Sequence, residues 1–451
     1  MEKTSRQPDK AIAAGIEKAW SCLSRQDLVQ LASQLVDISS PTGEEGPCAS
    51  FLVDYMRAMG LEAFYQEISE GRGNAVGWLK GSGEGPRLIF NGHLDTSFTG
   101  RKEDDYAALG PLQADSLPQA RVDEERIYGL GIYNMKGGLT ASVIALKAIK
   151  DAGISLKGDI VLTAVAGEVE KCPVEGAVKS YRGPLYMGAS IGTEWLLKHG
   201  ISGDFVINGE PTDLRVNWEN GGYIWFKVQT RGKATYVIRK HYGVNAILEA
   251  VKVIEAVECW AAKYTEAHTS ELSRPQVMVG AIESGWPYKP STCPAICNLY
   301  VDVRMAPGQE PGATIGEFER VMDELTRREK GLVLEWEPYL IARGERTEPD
   351  NSYVKRCLAA YQKVMGKAHQ NCLPEQASAW TDCNVFRRHG IPAVCIGPGS
   401  GSPPPAGEAG LEMQFARGEH QRIEDMVLAA RIHIAAALDI CLRSKEELSL
   451  G

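Results

Sequence analysis

No stretch of this 451-residue chain is apolar for long enough to cross a bilayer, and basic residues are outnumbered: 49 Lys and Arg stand against 58 Asp and Glu, a net charge of -9. A membrane-spanning helix needs about 20 apolar residues. Nucleic acid and anionic lipid both require clustered positive charge, so neither is an expected partner. Cysteine is present but unpatterned. The eleven thiols are scattered with no C-x-x-C pair, which suits a reducing compartment better than a disulfide framework. The first residues, MEKTSRQPDK, lack the apolar stretch of a secretory signal. These features lead us to expect a soluble cytoplasmic protein that acts on a small molecule, without nucleic-acid or membrane partners.

What the chain does have is alternation. Its length exceeds one ordinary core, at roughly 100 to 200 residues per domain. Gly- and Pro-rich turns separate apolar strand-like runs from amphipathic helices, which predicts an α/β fold. RLIFNGHLDT from Arg87, DIVLTAVAGEVE from Asp159 and DFVINGEP from Asp204 each read as a buried strand with a polar tip. GGLTASVIALKAIKDAG from Gly137 reads as a helix with one apolar face. In open α/β sheets ligands bind at the carboxyl ends of strands, so the converging tips predict a site there. From about Asn220 the pattern changes to β-α-β-α-β: YIWFKVQTRG, a helix near 245–264, ICNLYVDVRMAP, EFERVMDELTRR and LVLEWEPY. After Asp350 the first pattern resumes. The reading is therefore a discontinuous domain (1–217 and 342–451) with a mixed, mostly parallel sheet flanked by helices, interrupted by an inserted α+β unit (218–341). SGSPPPAG, from Ser400 to Gly407, reads as a loop.

The polar tips carry His93 and Asp95, then Glu168 and Glu170, then Glu210; His420 stands in a Gly-Glu-His run near the C-terminus. An isolated H-x-D pair is as easily a structural histidine with a hydrogen-bonded carboxylate as a metal ligand. Several acidic strand ends plus two histidines, however, form the nitrogen and oxygen set that zinc-type ions prefer.

NGHLDT, GLGIYNMKGGL, GEVE, INGEPT, GVNAI, YVDVR, WTDCNVF, GIPAVCIGPG and GEH occur in an order that resembles the metallohydrolase family of acetylornithine deacetylase, succinyl-diaminopimelate desuccinylase, aminoacylase and carboxypeptidase G. The resemblance runs from about Leu28 to Leu438. It implies a catalytic domain with an inserted lid through which subunits pair as homodimers. It also implies that His93 and Glu210 hold one metal ion, that Asp95 steadies His93, that Glu168 is the general base, and that His420 belongs to a second metal site. Arg304 would hold a substrate carboxylate, and Gly399 would let the backbone approach a ligand.

Four positions depart from the family pattern. Its bridging aspartate falls on Asn134, and the glutamate after the base falls on Val169, which cannot ligate. The lid histidine that steadies the oxyanion falls on Tyr236, and a substrate-contacting asparagine falls on Ser291. Because a close metal pair relies on charged bridges, the expectation is a single divalent ion, zinc before manganese or cobalt, held by His93, Asn134 and Glu210. By strand alternation Glu170 is a candidate replacement for the ligand missing at Val169. The implied activity is hydrolysis of an amide, N-acyl or carbamoyl C-N bond in a small carboxylate-bearing molecule. Two other readings stand beside it: an aminohydrolase on an aromatic amine that stacks on Trp218, Trp225 or Trp286, and a metal-impaired relative without catalysis.

Overall fold

Leu88, Phe90, Ile160, Leu162, Phe205 and Ile207 face one side of a sheet, and Ile89, Val161, Val165 and Val206 face the other. Alternate side chains of a strand point to opposite faces, so apolar runs without alternation mark strands covered on both sides. The computed structural model describes residues 6–176, 184–399 and 419–448. SGSPPPAG lies outside them.

The main sheet has six strands in the order Glu62–Ser69, Arg72–Leu79, Ile160–Val165, Leu88–His93, Phe205–Asn208, Ala393–Cys395. The last four run parallel, and the first two form an antiparallel margin. This is the expected mixed, mostly parallel sheet flanked by helices. One face is covered by Gly137–Asp151, Ile423–Cys441 and neighbouring helices, the other by Ile191–Lys198 and Cys383–Arg388. Gly137–Asp151 is buried almost all round, and its glycine start brings it against the loop after Phe205–Asn208. A methyl group on Gly138 would land on the Gly209 carbonyl oxygen, and one on Gly397 would strike the carbonyls of Gly209 and Glu210. Two glycines thus permit the close packing that fixes the backbone of Glu210.

A second sheet lies within residues 222–342 and is fully antiparallel: Val277–Ser284, Ile296–Met305, Gly222–Arg231, Val333–Ala342. Helices Ala246–His268, capped by Asn245, and Pro311–Arg328 cover one face through Ile224, Phe226, Val228, Val257 and Phe318. The sequence pattern predicts three strands here; this sheet has four, and the short strands Thr235–Tyr236 and Thr292–Cys293 pair apart from it. The extra strand, Val277–Ser284, is an edge strand whose Met278 and Ile282 are exposed, so it lacks the burial alternation that would announce it. Tyr223 and Trp225, on the uncovered face, meet Trp380 and Tyr339.

Candidate metal centre

Strand Leu88–His93 ends at a fully buried histidine. His93 Nδ1 lies 2.8 Å from the backbone carbonyl oxygen of Asp95, which makes Nδ1 a proton donor and turns Nε2 into the cleft. Around Nε2 stand Asn134 Oδ1 at 3.1 Å, Glu210 Oε1 at 3.5 Å and Glu168 Oε2 at 3.6 Å. Candidate ligand atoms of His93, Glu168 and Glu210 all lie within 4.8 Å of one another, and all three residues are buried.

Two atoms about 2.1 Å from one tetrahedral ion are about 3.4 Å apart. The separations from Nε2 match that edge. A nitrogen and carboxylate oxygens form the borderline donor set that suits zinc and its neighbours, so the residues fit a divalent ion.

The electrostatics point the same way. Burial raises the pKa of Glu168 well above the carboxylate range against the pull of His93, with Glu210 adding to the rise. Burial likewise pushes Glu210 up to about 7, opposed by His93 and reinforced by Asp382 and Glu170. Burial disfavours the charged imidazole of His93, but Asp95, Glu168 and Glu210 outweigh it and hold that pKa well above its ordinary value. Crowded carboxylates around one imidazole keep protons that a dication would replace.

Asp95 works mainly on the neighbouring tip. Its carboxylate accepts the Thr42 hydroxyl at 2.8 Å and the backbone N–H groups of Glu168 at 3.0 Å and Val169 at 3.2 Å, while its nearer oxygen is 3.5 Å from His93 Nδ1. Burial would raise its pKa, yet His93, Thr42 and the Glu168 N–H bring it below the usual value. The Arg72–Glu45 pair, fully buried at 2.8 Å, braces the following segment, with Arg72 donating to the Met187 carbonyl.

Asn134 sits in the turn before Gly137–Asp151. Its backbone N–H and that of Tyr133 donate to the buried Glu419 carboxylate at 3.4 and 3.2 Å. The sequence reading singled out His420 and passed over its neighbour. His420 pairs with Tyr128 in a small sheet, with its ring 5.7 Å from that of Tyr128, and is not part of the His93 group. Asp382 lies beneath the site and accepts Asn91 Nδ2 at 2.9 Å. Glu419 stands in the Gly-Glu-His run and Asp382 in WTDCNVF, so the signal for both lies in those motifs.

The remaining candidates form other groups. Glu170 is turned to Arg304, 2.7 Å from its Nη1, and Arg304 also pairs with Asp302 at 2.8 Å. Tyr236 is half exposed in a separate two-stranded ribbon, where it pairs with Thr292, while Val237 N–H donates to the Ser291 carbonyl. Gly399 lies against Asp213, and its carbonyl accepts from Gln421. Among the three tryptophans, Trp225 lies 5.7 Å from the Tyr223 ring, Trp218 packs on His369, and Trp286 is largely exposed beside Tyr288.

A family model described as Peptidase family M20/M25/M40 matches residues 89–433. Over 466 aligned residues the chain is 24% identical to an N-formyl-4-amino-5-aminomethyl-2-methylpyrimidine deformylase of Bacillus subtilis strain 168, covering 94% of this chain and 96% of that protein. It is 26% identical over 420 residues to the succinyl-diaminopimelate desuccinylase of Thioalkalivibrio sulfidiphilus, covering 90% and 97%. Human carnosine dipeptidase 1 has the same fold, with a TM-score of 0.70 at 14% identity over 95% of this chain and 99% of that one. The matched span contains the whole His93, Asn134, Glu168 and Glu210 group, and the chain belongs to peptidase family M20/M25/M40, hydrolases of C-N amide and acyl bonds whose metal dependence is typical.

Proposed function

We propose that the chain hydrolyses the C-N bond of a small amide, N-acyl or carbamoyl compound with one divalent ion, zinc first, held by His93, Glu210 and Asn134. The observation that carries this is the convergence of Asn134, Glu210 and Glu168 oxygens on the cleft-facing nitrogen of a buried histidine whose other nitrogen is held by a backbone carbonyl. When bound, such an ion polarises the scissile carbonyl and makes water a better nucleophile at neutral pH. Glu168 takes the proton of the attacking water and returns it to the leaving nitrogen, so that amide and water become acid and amine. Asp95 keeps Glu168 in place through its N–H. A hydroxyl donor for the oxyanion falls to Tyr236, and Ser291, Arg304 and Gly399 contact the substrate. A second ion at His420 is not part of the proposal, because Val169 offers no ligand.

The unit at 218–341 acts in this reading as lid and dimerisation domain. Exposed Ile238, Tyr242, Leu248 and Val251, with Met278 and Ile282 on the edge strand, support pairing with a second copy. A cytoplasmic location is supported by free thiols throughout the described residues and by the absence there of any helix long and apolar enough to cross a membrane. Trp225 and Tyr339 favour one second reading, an aminohydrolase on an aromatic amine that stacks on these rings.

Metal analysis of protein purified without chelator tests the main reading. Close to one zinc, manganese or cobalt per chain is expected. No bound metal, together with activity indifferent to added metal, would sink it.

A further inference from the structure

Arg304 stands on the uncovered side of strand Ile296–Met305, where the register pairs it with Tyr223. Its Nε donates to Asp302 Oδ2 at 3.0 Å, and its Nη2 lies 2.8 Å from the same oxygen. Its Nη1 donates to Glu170 Oε1 at 2.7 Å, and the guanidinium lies over the Tyr223 ring, 5.4 Å from its centre. One cation therefore answers two carboxylates before any ligand arrives. Glu170 comes from a different element, two residues past Glu168 and within electrostatic reach of both Glu168 and Glu210. About a quarter of each side chain of the Arg304–Glu170 pair is exposed, so water can take over either partner when the contact opens.

We propose that Glu170 is a tethered carboxylate that occupies Arg304 and must be displaced by any substrate carboxylate, which makes Glu170 the residue setting selectivity between carboxylate-bearing and uncharged acyl substrates. A charge-assisted hydrogen bond to guanidinium is among the strong ones. Exchanging one carboxylate for another forms the bond to the ligand only by breaking the bond to Glu170, so the gain is small. A competitor on the same chain also acts at high effective concentration. An uncharged acyl compound has no such exchange to make. Removing the Glu170 charge leaves Arg304 with Asp302 alone and restores an unmet donor for an incoming anion.

The inference rests on the proposed substrate site lying between Arg304 and the His93 group, and it is tested by binding without turnover. N-acetyl-L-leucine and its uncharged primary amide are titrated calorimetrically into the full chain carrying Glu168→Gln, which lacks the proposed base and serves as the parent here, and into the same chain with Glu170→Gln or Glu170→Ala added. Both variants are expected to bind the carboxylate probe about tenfold tighter or more than the parent, with the amide unchanged and the gain lost when Arg304→Gln is added. No gain in either variant, or an equal gain for the amide, overturns the proposal. Metal content is measured on the same samples: one ion with no gain sinks the tethered carboxylate alone, whereas a gain without an ion keeps it and sinks the metal reading.

Discussion

Asp95→Asn is the most direct probe of how the site is held. Asp95 is 1% exposed, and its two oxygens serve Thr42, the Glu168 N–H and the Val169 N–H. An amide has one acceptor oxygen. If its NH2 replaces Oδ1, the Glu168 N–H faces a donor; if it replaces Oδ2, the Val169 N–H does. Either way one buried backbone donor loses its partner, at a cost of about 1–3 kcal/mol, and the surviving bonds lose their charge assistance. We expect a total loss of about 2–4 kcal/mol in urea unfolding of chelated protein. The His93 Nδ1 contact is to the Asp95 backbone carbonyl, so the substitution leaves the imidazole aimed as before. Turnover should still fall, about 10- to 100-fold, because the tip bearing the base Glu168 shifts. A variant within about 0.5 kcal/mol of the parent and with unchanged turnover would refute the assignment of Asp95 to the Glu168 tip.

Glu168→Gln should lower turnover about 100-fold or more while zinc content stays near the parent's; zinc lost in parallel with activity would make Glu168 a ligand, and unchanged turnover would remove it from the chemistry. Gly138→Ala puts a methyl group on the Gly209 carbonyl, so it should cost about 1–3 kcal/mol in urea unfolding and weaken zinc binding through Glu210; a silent substitution would show that this contact does not position Glu210. The metal-free protein should lose stability as pH rises. Glu210 keeps its proton up to about 7 in the folded chain against an ordinary 4.5, so between those values the folded state holds a proton that the unfolded state has released. The loss develops across that window and approaches roughly 3 kcal/mol above it. Urea midpoints in chelator at pH 5 and pH 8 check the sign, and Glu210→Gln should flatten the slope; a midpoint that rises with pH contradicts the burial of this carboxylate.

The central strands were legible because each combines an uninterrupted apolar run with a polar tip, and burial on both faces demands that composition. Leu88–His93, Ile160–Val165 and Phe205–Asn208 all lie inside the runs read from sequence. The order in which they pair was not legible, because pairing depends on contacts between residues far apart in the chain. Side-chain direction followed the alternation rule only as far as the strands themselves extend. Ile160–Val165 stops before Gly167, so no period of two relates Glu168 to Glu170; the first stays with His93 and the second turns to Arg304. Leu88–His93 likewise stops at the histidine, and Asp95 reaches it with a backbone carbonyl while its carboxylate serves Glu168. Glu419 escaped notice for a related reason. Its carboxylate receives the N–H groups of Tyr133 and Asn134, nearly 300 residues earlier, a partnership that no local pattern encodes. Residue types at strand tips thus identify which atoms are available for chemistry, while their partners depend on how the chain leaves the strand. Glu170 is the position where that difference matters most: the same carboxylate would complete a metal shell if the strand continued, and it neutralises Arg304 because the strand ends.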